Sequence, residues 1–201
     1  MTPATIASAV TGERHEPYGA VRRRMVTLRA TQLSLPDEPT PTLLELRSVA
    51  DAIHYFEDFR AGEVIPVGSV SVSEFEIIAF ARQYDPQPMH IDPNAATFTI
   101  YGGLIASGWQ TVALFMRMLV DNLVAKTSSL GSPGVEELRW PAPVRPGDTL
   151  TGQMQVLETR VSNSRPTMGI VRWRGEMRNQ QGQLVMSLLG TNFFGRRPSG
   201  S

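Results

Sequence analysis

The sequence predicts an α+β fold in which helices pack on one face of an antiparallel sheet. Three observations lead there. Segments with helical spacing fill the middle of the chain, and the remainder is a run of strand-like segments. The longest apolar stretch, Gly102 to Val120, is interrupted by Gln110 and Arg117, so it reads as a buried core helix and not as a membrane span. The pair Gln181-Gly182 separates two strand-like runs and suits a hairpin turn.

The elements follow in order. Residues 1–52 read as an N-terminal extension, flexible or loosely docked, with a basic run at Arg22, Arg23 and Arg24 and breaks at Pro36, Pro39 and Pro41. Within it, Thr42 to Ala52 suits a short helix, with Thr42 as cap and Glu45 three residues on. The domain is expected over 53–197, with 198–201 as a tail. Val67 to Val72 alternates as a strand should. Ser73 and Glu76 form a capping-box pattern, opening a helix with Phe75, Ile78, Ala79 and Arg82 at helical spacing. That helix must end before Pro86. Asp85 to Pro93 holds three prolines and reads as a rigid loop, and Pro93 to Thr99 as one helical turn. A long helix spans about Ser107 to Ala125, with Trp109, Val112, Ala113, Met116, Leu119 and Leu123 on one stripe. Its other faces are also apolar, so burial on most sides is expected. Strands follow at Val135 to Trp140, Asp148 to Thr159, Gly169 to Asn179 and Leu184 to Phe194.

Composition narrows the function. The chain has 201 residues, 41% of them hydrophobic, and a formal charge of zero. Such a balance suits one globular domain and gives no nucleic-acid footprint. With no cysteine, disulfides and thiolate metal sites are excluded. His15, His54 and His90 lack metal-ligand spacing, so no metal site is expected. The N-terminus has no continuous apolar run of the secretory kind, and a cytoplasmic protein without membrane contact is the expectation.

The chemistry concentrates in Tyr84-Asp85-Pro86-Gln87-Pro88-Met89-His90-Ile91-Asp92-Pro93. Asp85 and His90 lie five apart on a segment stiffened by two intervening prolines, which lowers the entropy lost in aligning two catalytic groups. A carboxylate and an imidazole together offer a base and a proton carrier to one water molecule, as addition of water across a double bond requires. The plainer reading has Asp85 ending the preceding helix and His90 bonded within the loop. Asp92 is a second candidate carboxylate, although Pro93 and Asn94 after it favour an N-cap. Next comes Gly102-Gly103-Leu104-Ile105-Ala106-Ser107-Gly108-Trp109, leading into the long helix. The first N–H groups of a helix lack intrahelical partners and favour negative charge. A thioester carbonyl placed at Gly108 N–H would be polarised as it gains enolate character. Alternatively, the glycines only let the helix approach the sheet.

Together these two segments resemble the MaoC-like dehydratases, also called the (R)-specific enoyl-CoA hydratase or hydratase 2 group. That family's pattern is Asp-x-Asn-Pro-apolar-His-x-Asp-Pro followed by a glycine-containing helix start. Here it stands as Asp85 to Pro93 and Ala106-Ser107-Gly108. The resemblance extends from Tyr55 to Arg197, including Tyr55-Phe56-Glu57-Asp58-Phe59, Leu138-Arg139-Trp140 and Pro143 to Asp148. It implies a hotdog fold, a curved antiparallel sheet wrapped around a long central helix, usually dimeric, with the substrate tunnel near the subunit interface. It also implies that Asp85 and His90 activate water and that Gly108 N–H meets the thioester carbonyl. Gln87, where the family carries asparagine, is the departure.

The reaction expected is reversible syn hydration of a trans-2-enoyl thioester, on coenzyme A or an acyl carrier, with coenzyme A present only as part of the substrate. Gln87, Pro88 and Asp92 are expected to support the loop, and Met89, Ser107 and Trp109 to line the substrate. Arg139, Arg145 and Arg165 are weaker candidates for coenzyme A phosphates. The rivals are a hotdog thioesterase, which the Asp85–His90 spacing disfavours, and a non-catalytic acyl-CoA-binding subunit.

Overall fold

The computed structural model describes residues 54–198. The expected helix at Thr42 to Ala52 and the rest of the extension lie outside the described residues. A 3-10 turn at Phe56–Asp58 leads into β1 (Val64–Ser71), α1 (Glu74–Tyr84), α2 (Pro88–Ile91), α3 (Pro93–Ala96) and α4 (Gly108–Asn122). Another 3-10 turn, Val124–Lys126, precedes β2 (Ser129–Arg139), β3 (Thr149–Val161), β4 (Met168–Arg178) and β5 (Leu184–Gly195). The five strands form one antiparallel sheet in the order β1-β3-β4-β5-β2. Strands β1 and β2 are its edges and carry Pro66 and Pro133, which a central strand would not tolerate. Turn residues after β4 close the β4–β5 hairpin, with Gly182 at φ 78° and its N–H bonded to Asn179 O.

Helix α4 lies along the inner face of the sheet. Gln110, Thr111, Phe115, Met118 and Leu119 are its buried residues, with Thr111, Phe115, Met118 and Leu119 recurring at three and four. Two glycines let the helix approach. A Cβ at Gly175 of β4 would come within 2.6 Å of the Phe115 ring, and one at Gly152 of β3 within 3.1 Å of Met118. Phe115 fills this space and stacks on Trp173 at 6.1 Å between centroids. The core continues through Val67, Leu150, Met154, Val171 and Met186. Burial of such side chains contributes about 1.5–3 kcal/mol each and holds helix to sheet.

Four sequence expectations change. The α4 stripe is right only in part: Leu119 and Leu123 are buried, but Trp109, Ala113 and Met116 are exposed, and Phe115 meets the sheet instead. Because the helix is apolar on most faces, spacing alone does not pick the inner one, and the glycines in the sheet decide it. On α1 the expected Phe75, Ala79 and Arg82 are exposed and Ile78 is partly buried against the core, while Ile77 and Ala81 are buried. Asp85 to Pro93 is not loop throughout. Pro88 occupies the first position of α2, where its missing N–H does no harm. Finally, β2 starts six residues earlier than expected, at Ser129, because Gly131 and Gly134 at positive φ sit at its register shifts.

Candidate active site

The acid/base candidates come from the junction between α1 and α2. Helix α1 is opened by the capping box: Ser73 Oγ accepts from Glu76 N–H, and Glu76 accepts from Ser73 N–H at 2.8 Å. Asp85 is its C-cap, and its N–H bonds Ala81 O at 2.8 Å. One residue on, Pro86 stops the helix, so the Asp85 side chain is fixed at the helix end. Single-turn α2 then brings His90 back toward it. Asp92 caps α3, its Oδ1 accepting from Asn94 N–H and Ala95 N–H at 2.8 and 3.1 Å. That carboxylate is spent on capping, as the sequence favoured.

His90 is buried, and its Nδ1 lies 2.9 Å from Ile105 O. A carbonyl only accepts, so Nδ1 carries the proton. In the neutral ring Nε2 therefore presents a lone pair, 3.5 Å from Asp85 Oδ2. Asp85 receives two further hydrogen bonds: Gln87 Nε2 donates to Oδ1 at 2.7 Å, and Ser107 Oγ donates to Oδ2 at 2.7 Å. The Gln87 amide, then the Ser107 hydroxyl, hold the Asp85 carboxyl below the usual carboxylate range; burial opposes them and His90 adds a smaller pull. Asp85 is thus a carboxylate held in a fixed orientation, with His90 Nε2 facing it.

The two segments meet because the strand-like run before α4 is pinned on both sides. Ile105 N–H bonds Met89 O at 3.1 Å, and Ala106 N–H bonds Val144 O at 2.8 Å. Ser107, the N-cap of α4, accepts from Trp109 N–H at 3.2 Å. Gly108 is the first helical residue, and no protein acceptor among the described residues takes its N–H. A Cβ there would lie 2.5 Å from the Trp140 ring, so glycine is required by Trp140 as well as by access to the donor.

A cavity of about 350 Å³ joins these groups. Asp85, Gln87, His90 and Gly108 line it, with Tyr101, Trp109, Trp140 and Pro141 toward solvent. Its buried walls are Ile105, Ala106, Thr111, Ala142 and Val144. Trp109 is at the cavity, packed edge-on to Trp140 at 5.6 Å between centroids. Met89 and Ser107, expected to line the substrate, are not among the residues that line this cavity. Met89 contributes its backbone carbonyl to Ile105, and Ser107 is fully buried with its hydroxyl committed to Asp85. Pro88 opens α2 as its first residue, and Gln87 touches Asp85 directly. Of the arginine candidates, Arg145 donates to Tyr101 O at 2.6 Å, at the cavity rim. Thr111 was not foreseen; its place three residues after Gly108 puts it near the same side of α4. The Ile105 carbonyl carries no side-chain signal and was not legible. Among the described residues no cluster of His, Asp or Glu suits a metal ion.

Comparison with known proteins agrees with this geometry. A family model described as the MaoC like domain matches residues 60–172. The (R)-specific enoyl-CoA hydratase of Rhodospirillum rubrum is 30% identical over 109 residues, covering 52% of this chain and 70% of that protein. A crystal structure of a MaoC-like dehydratase from Rhodospirillum rubrum superposes with a TM-score of 0.66 at 38% identity, covering 72% of this chain and 99% of that one. A Mycobacterium tuberculosis protein with a double hotdog fold superposes with a TM-score of 0.62 at 17% identity, covering 74% of this chain and 46% of that one. The antiparallel sheet around one long helix is thus a hotdog fold, and the chain belongs to the MaoC-like dehydratase family.

Proposed function

We propose that the protein is an acyl-thioester hydratase/dehydratase, adding water reversibly and syn to a trans-2-enoyl-CoA or a related acyl thioester to give the 3-hydroxyacyl thioester. One observation carries the reading: two hydrogen-bond acceptors, Asp85 Oδ2 and His90 Nε2, face each other at 3.5 Å in a cavity that Gly108 also lines. Two acceptors that close suit a water molecule that donates one hydrogen to each, leaving its lone pair for C3 of the enoyl group. As the C–O bond forms, the C2=C3 pair moves toward the carbonyl and gives an enolate. The Gly108 N–H, at the positive end of α4, stabilises the oxygen. The pair takes one proton from water, and one proton returns to C2 on the same face. Oxygen goes to C3 and hydrogen to C2, so the atoms of one water are accounted for.

Acid/base catalysis of this kind contributes about 10²–10⁴ in rate, and a carbonyl donor about 10²–10³. The reading asks for no cofactor, because coenzyme A belongs to the substrate. It places the reaction in the cytoplasm and the working enzyme in a homodimer. Among the described residues no helix is long and apolar enough to cross a membrane. The test separates hydration from thioester cleavage. Purified protein incubated with crotonyl-CoA is expected to form 3-hydroxybutyryl-CoA without release of free thiol. Free coenzyme A as the first product would show a thioesterase instead.

A further inference from the structure

Helix α4 forms one wall of the cavity. Thr111 lines it and is buried. Phe115, one helical turn below, does not line it and is wholly excluded from solvent. Its ring stacks on Trp173 and fills the space over Gly152 and Gly175, where added Cβ atoms would lie 3.5 and 2.6 Å from it. An extension of the cavity past Thr111 toward β3 and β4 would run into this ring, whereas the hollow beside α4 at Trp109, Val112 and Val135 does not reach it. The remaining buried walls, Ile105, Ala106, Ala142 and Val144, are apolar, and backbone bonds hold Ile105 to Met89 and Ala106 to Val144. At about 350 Å³ the cavity is near the low end of the ~300–1,000 Å³ usual for small-molecule sites. It must hold the thioester end of the carrier arm as well as the acyl group. Charge adds a second limit. Among the described residues no Arg or Lys lines the cavity, and Asp85 is already an anion there. A second carboxylate on the acyl group would share the cavity with that anion, beside the apolar buried walls Ile105, Ala106, Ala142 and Val144.

We infer that Thr111 and Phe115 set the acyl length, and that the substrate is a short, uncharged enoyl thioester. This rests on the hydratase reading. Specificity is read as kcat/KM for three thioesters of coenzyme A: crotonyl, trans-2-octenoyl, and an enoyl-CoA ending in a carboxylate. One methylene in an apolar pocket is worth about 10–200-fold. The wild type is therefore expected to favour crotonyl over each of the others by at least ten-fold. Phe115→Val is expected to raise the octenoyl-to-crotonyl ratio ten-fold or more. Thr111→Ala, a milder change at the cavity wall, is expected to raise it less, in the same direction, and it serves should Phe115→Val fail to fold by circular dichroism. Equal or better turnover of octenoyl-CoA or the carboxylated substrate by wild type overturns the inference. So does a variant that scales crotonyl and octenoyl rates by one factor. Hydration of none of the three would instead sink the hydratase reading, and the inference with it.

Discussion

At the scale of single residues, Asp85 is defined by its hydrogen bonds more than by its neighbour in the motif. The Gln87 amide and the Ser107 hydroxyl take one carboxylate oxygen each, and both stabilise the charged form. The sign follows: a donor to the anion lowers its titration point, so removing that donor raises it. Gln87→Ala is expected to move the acid limb of the kcat/KM profile for enoyl-CoA hydration to higher pH. Gln87→Asn should shift it less, because the shorter amide retains some reach. An acid limb unmoved in Gln87→Ala would mean that Gln87 serves the loop and not the carboxylate. Gln87 therefore earns attention as the point where this chain departs from the family's asparagine. Sequence made the Asp85–His90 pair visible because both lie on one short, proline-rich segment. It did not show that Ser107 and the Ile105 carbonyl complete the pair, since those contacts span 22 and 15 residues and exist only once α4 has docked.

At the scale of elements, type was easier to read than facing. The capping box at Ser73 and the proline at 86 marked both ends of α1, and alternation over Val67 to Val72 marked β1. Helix α4 was recognisable by length and apolarity, yet its inner face was not, because a helix apolar nearly all round has no single stripe. The face is chosen by Gly152 and Gly175, which are remote in sequence and give no local signal. The small turn α2 was hidden because prolines that usually break structure here start it. Gly108 unites two roles at one position: it opens α4 toward the cavity and it accepts the Trp140 ring. Gly108→Ala keeps the N–H but forces a Cβ to 2.5 Å from that ring. Overpacking of this type costs about 1–3 kcal/mol. Urea denaturation of Gly108→Ala should show a loss in that range together with reduced hydration. An unchanged midpoint would mean that Trp140 moves aside freely.

At the scale of the whole molecule, the outward apolar surface is the notable feature. Trp109 and Met116 on α4 are 60% and 45% exposed, and Leu130 and Val135 on edge strand β2 are 50% and 55% exposed. An edge strand with free backbone groups beside exposed apolar side chains is a pairing surface. A second copy covering this face would also approach the cavity, because Trp109 lines it. Sedimentation velocity of the purified protein is expected to show a dimer at micromolar concentration, and Met116→Glu to shift it toward monomer. A wild type that sediments as a monomer at every concentration would contradict the dimer. The account as a whole depends on Asp85 and His90 acting on one water molecule. Steady-state hydration of crotonyl-CoA by wild type, Asp85→Asn and His90→Ala tests this most directly, with folding of each variant verified by circular dichroism. A loss of about 10²–10⁴ in kcat for each variant is the result the account predicts. Full wild-type hydration by both folded variants would contradict it.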